Sequence, residues 1–439
     1  MPGSLRLSAV LVVLIGTVLV VGLTACTDFV PEASEATPLP PNPSPTPAGA
    51  RQVEVYTTWT TGADAEALAA LVEVFAAAHP DIALIHPPRP GSSAEEVAAA
   101  VRFRLQAGDS PDSWQGQGSR SLMAGYAEAG LLEPVNFLFV REGWTEVLPA
   151  EFLPYLGVAE NLYVVPVAVQ RLNLLWYRAD LLAGVNGVVP TDFETLLADL
   201  EALKAAGMAK PLALGGAETA LHLFETVLLA QTGPGVYRDL VMGRGDWASP
   251  AVGAAIERFA QLLNYADIVE GSWPETAASL VAGQTAFLVA GDGVRGAFAA
   301  PNLPPDGPIA WTLMPGTSGV FLFASEGFVL AGMAPHRREA IDWLTTVGSQ
   351  AGQDALNPRR YSLSPRQDAD PTRYDAYGRM ALRDWQTHTL VGSLTYGVAA
   401  DPMWRAAVAA AVEEFVRGRD AGILQRALVN ACRDPGPCP

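Results

Sequence analysis

The sequence predicts an α/β protein of two domains, with helices covering mostly parallel sheets. Three observations lead there. The chain has 439 residues, more than one typical domain holds. From Arg51 onward, short alternating runs take turns with stretches of helical spacing. Half of the residues are hydrophobic and only three are cysteines, so apolar cores rather than a disulfide framework must hold the fold. The 28 basic and 46 acidic residues leave a formal charge of −18, which argues against nucleic acid or anionic lipid as a partner.

The first 25 residues stand apart from this pattern. An apolar run from about Leu7 to Leu23 follows the single charge Arg6, with the length of a membrane anchor or a cleaved signal. Leu23-Thr24-Ala25-Cys26 resembles the bacterial lipobox, where small residues suit a narrow peptidase site and the cysteine thiol accepts the acyl chains. Residues 1–25 then read as a lipoprotein signal peptide and Cys26 as the lipidated N-terminus; the alternative is an uncleaved signal anchor. Residues 26–50 are rich in proline, serine and threonine, an extended tether without a core. No second long apolar run follows, so the mature chain is expected to span nothing.

The body begins with Val53–Thr58, which alternates like a strand, and Ala63–Ala78, which has helical spacing and stops at His79-Pro80. Ile82–His86 is a second strand and Ala94–Ala107 a second helix. Thr191-Asp192-Phe193-Glu194 has the form of a capping box, opening a helix that ends at Gly207. Further strand-like runs are Leu162–Val169, Leu212–Leu214, Ala286–Ala290, Ile309–Leu313 and Val320–Leu330. Helices are expected at roughly 219–231, 250–266, 338–355, 371–387 and 403–430. Cys432 and Cys438 flank the tail, where they either close a small loop or remain free thiols.

Motifs for chemistry are weak. Gly291-Asp292-Gly293-Val294-Arg295-Gly296 fits a dinucleotide-binding pattern, but the proline-rich Ala299–Pro308 cannot continue a crossover helix, so a turn leaving a strand is the better reading. Glu218 and His222 have the i, i+4 spacing of a metal pair, yet no third ligand suggests itself. Nothing singles out catalytic residues, and no cofactor or metal is expected. Trp59 ends the first strand, at the sheet edge where α/β proteins place ligands. It is either core or an aromatic face for stacking on a sugar.

At this point the chain resembles the lipid-anchored sugar-binding components of ABC importers, the glucose/mannose-type branch of the extracellular solute-binding proteins. The resemblance runs from about Val53 to Leu428. It is carried by Val55–Gly62, Pro111–Gly118, Tyr163–Tyr177, Pro211–Leu229, Phe287–Phe298, Pro315–Phe321 and Gly392–Ala399. It implies a periplasmic-binding-protein-like fold (type II): two lobes joined by several hinge crossovers around a ligand cleft. Lobe 1 would comprise residues 51–163 and 316–358, and lobe 2 residues 164–315 and 359–431, with 432–439 as a tail. It also implies a monomer on the extracytoplasmic face of the cell membrane, not an enzyme, that hands a carbohydrate to an ABC permease with its cytoplasmic ATPase. A sensor or scaffold without transport is the alternative, and an extracellular hydrolase the more distant one.

Carried over residue by residue, the family's sugar-binding positions fall on Trp59, Asp64, Gln115, Gln117, Gln170, Glu218, Glu326, Arg360 and Tyr396. Several depart from the family pattern. Thr58, Glu218 and Gly293 stand where tryptophans are usual, Gln117 and Tyr396 replace histidines, and Arg360 replaces a lysine; Arg171 and Asn173 are retained. With fewer aromatic faces and more amides and carboxylates, the pocket is expected to take a carbohydrate other than glucose, such as an oligosaccharide or amino sugar.

Overall fold

Among the described residues, short extended runs pair into two large sheets and one two-stranded ribbon (Gly157–Val158 with Asn161–Leu162), and the alanine- and leucine-rich stretches between them coil into the helices that cover the large sheets. The computed structural model describes residues 51–87, 91–117, 125–268, 271, 273–298, 307–434 and 436–438. Residues 1–50, with the expected signal, the expected tether and Cys26, lie outside the described residues, among which no helix is long and apolar enough to cross a membrane.

The first sheet is built from β1 (Arg51–Tyr56), β2 (Ile82–Ile85), β3 (Ser113–Gln117), β4 (Val164–Arg171), β10 (Val320–Leu330) and β11 (Thr389–Gly392). Its order is β11-β10-β3-β1-β2, and β4 takes the other edge of β10. The second sheet comprises β5 (Leu174–Arg178), β6 (Leu212–Leu214), β7 (Ala266–Ile268), β8 (Phe287–Val289) and β9 (Ile309–Leu313), in the order β9-β5-β8-β6-β7. The sheets are mixed, which corrects the expectation of mostly parallel ones. β3 and β4 run antiparallel to β10, and β5 runs antiparallel to both β8 and β9. The chain leaves the first sheet on β4 and enters the second on β5, then returns from β9 to β10, so the pairs β4–β10 and β5–β9 are antiparallel. Two strands placed in the second lobe by the sequence reading, β4 and β11, are hydrogen-bonded into the first sheet.

Helices α1 (Gly62–Ala78) and α2 (Ala94–Gln106) flank the first sheet, together with α7 (Arg337–Gly348) and α8 (Gln350–Arg360). Around the second sheet lie α3 (Phe193–Ala205), α4 (Ala217–Val241), α5 (Pro250–Leu263), α6 (Trp273–Val281), α10 (Pro402–Gly418) and α11 (Ala421–Arg433). Helix α9 (Ala376–Thr387) reaches both. Its Trp385 packs on Phe152 and Phe323, while its Tyr377 packs on Trp176 and Trp311. Two buried clusters result, one including Val53, Phe75, Phe328 and Trp343, the other Phe224, Phe259, Trp404 and Phe415.

Three helical expectations change. The run expected over 338–355 divides at Ser349, whose hydroxyl accepts the Gly352 N–H and starts α8 afresh. The run expected over 403–430 divides where Arg419 turns left-handed (φ 59°) and Asp420 caps α11. At the start of α3 the cap is Asp192, accepting from the Thr195 N–H, so the capping box expected from Thr191 is not formed. Cys432 and Cys438 are disulfide-bonded, closing a short loop after α11.

Two passages between the sheets lie side by side: Leu172-Asn173 joins β4 to β5, and residues 314–319 join β9 to β10. The Leu172 N–H donates to the Leu322 carbonyl and the Met314 N–H to the Asn173 carbonyl. The buried Arg171 and Asn173 side chains both donate to the Val320 carbonyl. These passages form a hinge between two lobes.

Candidate functional site

The register of the first sheet assembles one wall of the cleft. At a bulge in β10, Glu326 stands opposite Gln117 of β3 on one side and Ala168 of β4 on the other. Two residues earlier, Ala324 faces Gln170. Arg360, the last residue of α8, reaches into this wall with its side chain 8% exposed. Its Nε donates to Asp64 at 2.7 Å, and its two Nη atoms donate to the Glu326 carboxylate, one of them at 3.1 Å. Burial alone would lower the guanidinium's pKa, but Glu326 and Asp64 more than offset this and hold it above its ordinary value. Gln115 donates to Glu326 at 3.1 Å and accepts from the Thr58 N–H at 3.0 Å, so it ties the end of β1 to the carboxylate.

Trp59 is in the core. It is 1% exposed, packs edge-to-face on Phe328, and carries the Arg360 guanidinium over its ring at 4.4 Å. The ring face offered by the sequence as a stacking surface is covered by Arg360.

The second wall comes from α4, α6 and the turn after β8. Glu218, in the first turn of α4, accepts the Trp273 indole N–H at 2.8 Å. Its carboxylate also raises the pKa of the neighbouring Tyr396 phenol, second to burial, which pushes that group well above its ordinary range and keeps it a donor. His222, fully buried one turn further along, donates from Nε2 to the Leu172 carbonyl and packs edge-to-face with Trp273 and Tyr396. Burial pushes its imidazole down to about 4, so it is neutral at physiological pH. The Glu218–His222 pair thus orders aromatic side chains and a hinge carbonyl. Substituting Glu218 by alanine is expected to weaken ligand binding about tenfold by releasing Trp273 and Tyr396. Glu218→Gln, which keeps an acceptor oxygen, should restore most of the affinity in a calorimetric titration.

The turn Gly291–Gly296 leaves strand β8, and an added Cβ at Gly293 would stand 2.9 Å from the Gln170 amide nitrogen. Part of the volume that a tryptophan would take there is therefore occupied by Gln170. Within this turn Asp292 is buried and accepts from the Tyr377 hydroxyl at 3.1 Å. Burial pushes its carboxyl up to about 7, against the pull of Arg295, Tyr377 and Arg171. Between the unfolded value of about 4 and the folded value, the native state holds a proton that the unfolded chain has released. Stability from this group is therefore lost as pH rises through that window. Asp292→Asn should remove this slope, gaining thermal stability over the wild type at pH 8 relative to pH 5 in calorimetry.

The walls enclose a cavity of about 440 Å³, lined by Asp64 and Arg360 from one side and by Trp273, Gly291, Gly293 and Ala297 from the other. Gln170 and Tyr396 line both this cavity and an adjoining one of about 180 Å³, bounded also by Ala168, Ser325 and Glu326. Of the residues assigned from sequence, Asp64, Gln170, Glu326, Arg360 and Tyr396 come together around these spaces. Trp59, Gln115 and Glu218 stand behind them as supports, and the Gln117 side chain lies outside the described residues. Sequence reasoning missed Trp273, Tyr361 and Ser325, which also line the cavities. Trp273-Pro274, proline at the second position of a helix, was the available signal for the first of these.

Two α/β lobes hinged around a cleft, with side chains from both meeting in it, define a protein built to close over a small solute. Its lineage agrees: residues 58–354 match the bacterial extracellular solute-binding protein family, and the chain belongs to that family. It is 27% identical over 407 residues to an uncharacterized ABC transporter extracellular-binding protein of Pyrococcus horikoshii, covering 90% of each chain. It is 29% identical to a probable sugar-binding periplasmic protein of Mesorhizobium japonicum, over 85% of this chain and 90% of the other. Among solved structures, the bacterial solute receptor AcbH, described as preferring β-D-galactopyranose, superposes with a TM-score of 0.76 at 16% identity. That match covers 87% of this chain and 98% of the receptor. These proteins bind solutes rather than transform them.

Proposed function

We propose that this protein is a lipid-anchored, monomeric solute receptor that captures a carbohydrate between its lobes and delivers it to an ABC permease. The observation that carries the reading is the cleft itself. Aromatic side chains (Trp273, Tyr361, Tyr396) suit the C–H faces of a sugar, while Gln170, Asp64 and Arg360 suit its hydroxyls. The sugar-binding names of the relatives support the same class. The single Arg360 charge is outnumbered by the Asp64 and Glu326 carboxylates, so the site disfavours an anionic sugar. The pocket differs from the glucose type at Thr58, Gln117, Glu218, Gly293, Arg360 and Tyr396, and glucose is not the preferred ligand.

Calorimetric titration against neutral saccharides, paired with small-angle scattering, tests the capture. Saturable binding with a smaller radius of gyration supports it, and binding of no saccharide would overturn it. Anchoring at Cys26 predicts that the mature chain begins at an acylated Cys26 by mass spectrometry and that Cys26→Ser abolishes the acylation. A wild-type chain that keeps residues 1–25 and carries no acyl chain would favour the uncleaved anchor instead.

A further inference from the structure

Arg295 opens the single helical turn Arg295–Phe298, which follows β8 in the second lobe. The turn is fixed to its own lobe at both ends. Phe298 packs edge-to-face on Trp176 of β5, and the neighbouring Asp292 accepts from the hydroxyl of the buried Tyr377. The Arg295 guanidinium lies over the Tyr377 ring at 4.4 Å and pairs with Asp375, the N-cap of α9. Its remaining neighbour belongs to the first lobe. The same guanidinium stands 5.4 Å from the ring centre of Tyr361, within reach of a cation–π contact, and the Arg295 side chain is left 13% exposed.

Tyr361 is held firmly for this meeting. It ends α8 in the left-handed region (φ 57°), which non-glycine residues adopt where their surroundings impose it. Just before it, Arg360 is paired with Asp64 and Glu326; just after it, Leu363 exchanges backbone hydrogen bonds with Val169 of β4. Gly296 brings the turn close to the ring, for a Cβ there would already touch it at 3.7 Å. The cavity is lined by Val294, Gly296 and Ala297, while the Arg295 side chain between them reaches to α9. Asp375 is 57% exposed, so water screens the ion pair, and the stacking on Tyr361 is what joins the lobes. Every group in this contact belongs to the chain, so its attraction adds to closure in the same measure for any solute.

We infer that Arg295 is a positioning residue for capture, a latch that draws the lobes together through Tyr361 and sets how much of the receptor is closed before a solute arrives. This rests on the two-lobed capture reading above and adds a closing force that does not pass through the ligand.

The test compares the mature wild-type chain with Arg295→Ala. In small-angle scattering without added solute, the variant is expected to show a larger radius of gyration. Calorimetry then uses glucose, galactose, xylose, N-acetylglucosamine and their disaccharides as probes. Each saccharide that binds the wild type should bind the variant about fivefold more weakly, by one common factor, because apparent affinity scales with the closed fraction. Arg295→Lys should recover part of both effects, since an ammonium keeps the charge over the ring but not the planar stack. Circular dichroism and thermal melts check that each variant is folded. A wild-type radius of gyration in folded Arg295→Ala, or a loss of affinity that differs from sugar to sugar, would overturn the latch and leave capture intact. Binding of no saccharide by the wild type would overturn the carbohydrate reading, and the scattering comparison alone would then decide the latch.

Discussion

Arg360→Ala is expected to lower saccharide affinity about a hundredfold, close to 2.7 kcal/mol, and to destabilise the folded chain by about 3 kcal/mol. The arginine bridges Asp64 and Glu326 and covers the Trp59 ring. Without it, two carboxylates face each other across a partly buried gap, and the wall they form loses its shape. Asp64 is 43% exposed and is relieved by water, so most of the cost falls on Glu326, which is 19% exposed. Arg360→Lys should be intermediate, because a point charge cannot fork to both partners. Titration of the variants with a saccharide that binds the wild type measures the first effect and urea denaturation the second. A folded Arg360→Ala protein with wild-type affinity would make the arginine a support and nothing more.

Glu225→Ala should be the most damaging change to stability, at about 4 kcal/mol. This fully buried carboxylate of α4 accepts from the Ser393 hydroxyl at 2.9 Å, the Thr395 N–H at 3.3 Å, and from the Leu394 N–H and the Tyr237 hydroxyl. Alanine strands these donors in the interior. Tyr237 can still turn to the Gly392 carbonyl, which limits the loss. The turn so held carries Tyr396, so ligand affinity should fall along with the urea midpoint. Glu225→Gln, with one acceptor oxygen retained, should recover part of both. Unchanged stability in Glu225→Ala would show that the turn is held by its own backbone.

Most strands and helices were legible in the sequence because alternation and helical spacing are local signals, whereas the division into two lobes came from chain length and family resemblance. The missed boundaries are those fixed by a single residue's geometry. The spacing of 338–355 and 403–430 reads as continuous across Ser349 and Arg419, since a cap or a left-handed turn leaves the apolar pattern intact. Strand β5 was missed because LLWYR, buried on both faces, does not alternate. In the site, Asp64, Glu326 and Arg360 were found through family resemblance, but not that they pair with one another. That pairing depends on the end of α8 meeting the β10 bulge. Trp59 looked like a ligand face for the same reason: nothing local reveals that a guanidinium 301 positions away covers it. The role of Glu225 was not legible, because what a buried carboxylate does is recognisable only from the donors brought around it.

The hinge has a kinetic consequence. Arg171 and Asn173, on one passage, both donate to the Val320 carbonyl at the end of the other, and Asn173 also accepts the Leu322 N–H. That carbonyl is a common fulcrum, so neither strand can swivel without carrying its neighbour. Opening and shutting then become a single concerted swing with one soft coordinate, not a sequence of independent loop movements. Such a molecule should snap shut in one exponential phase after ligand mixing, whichever sugar triggers it. Asn173→Ala, which uncouples the passages, should split that phase in two.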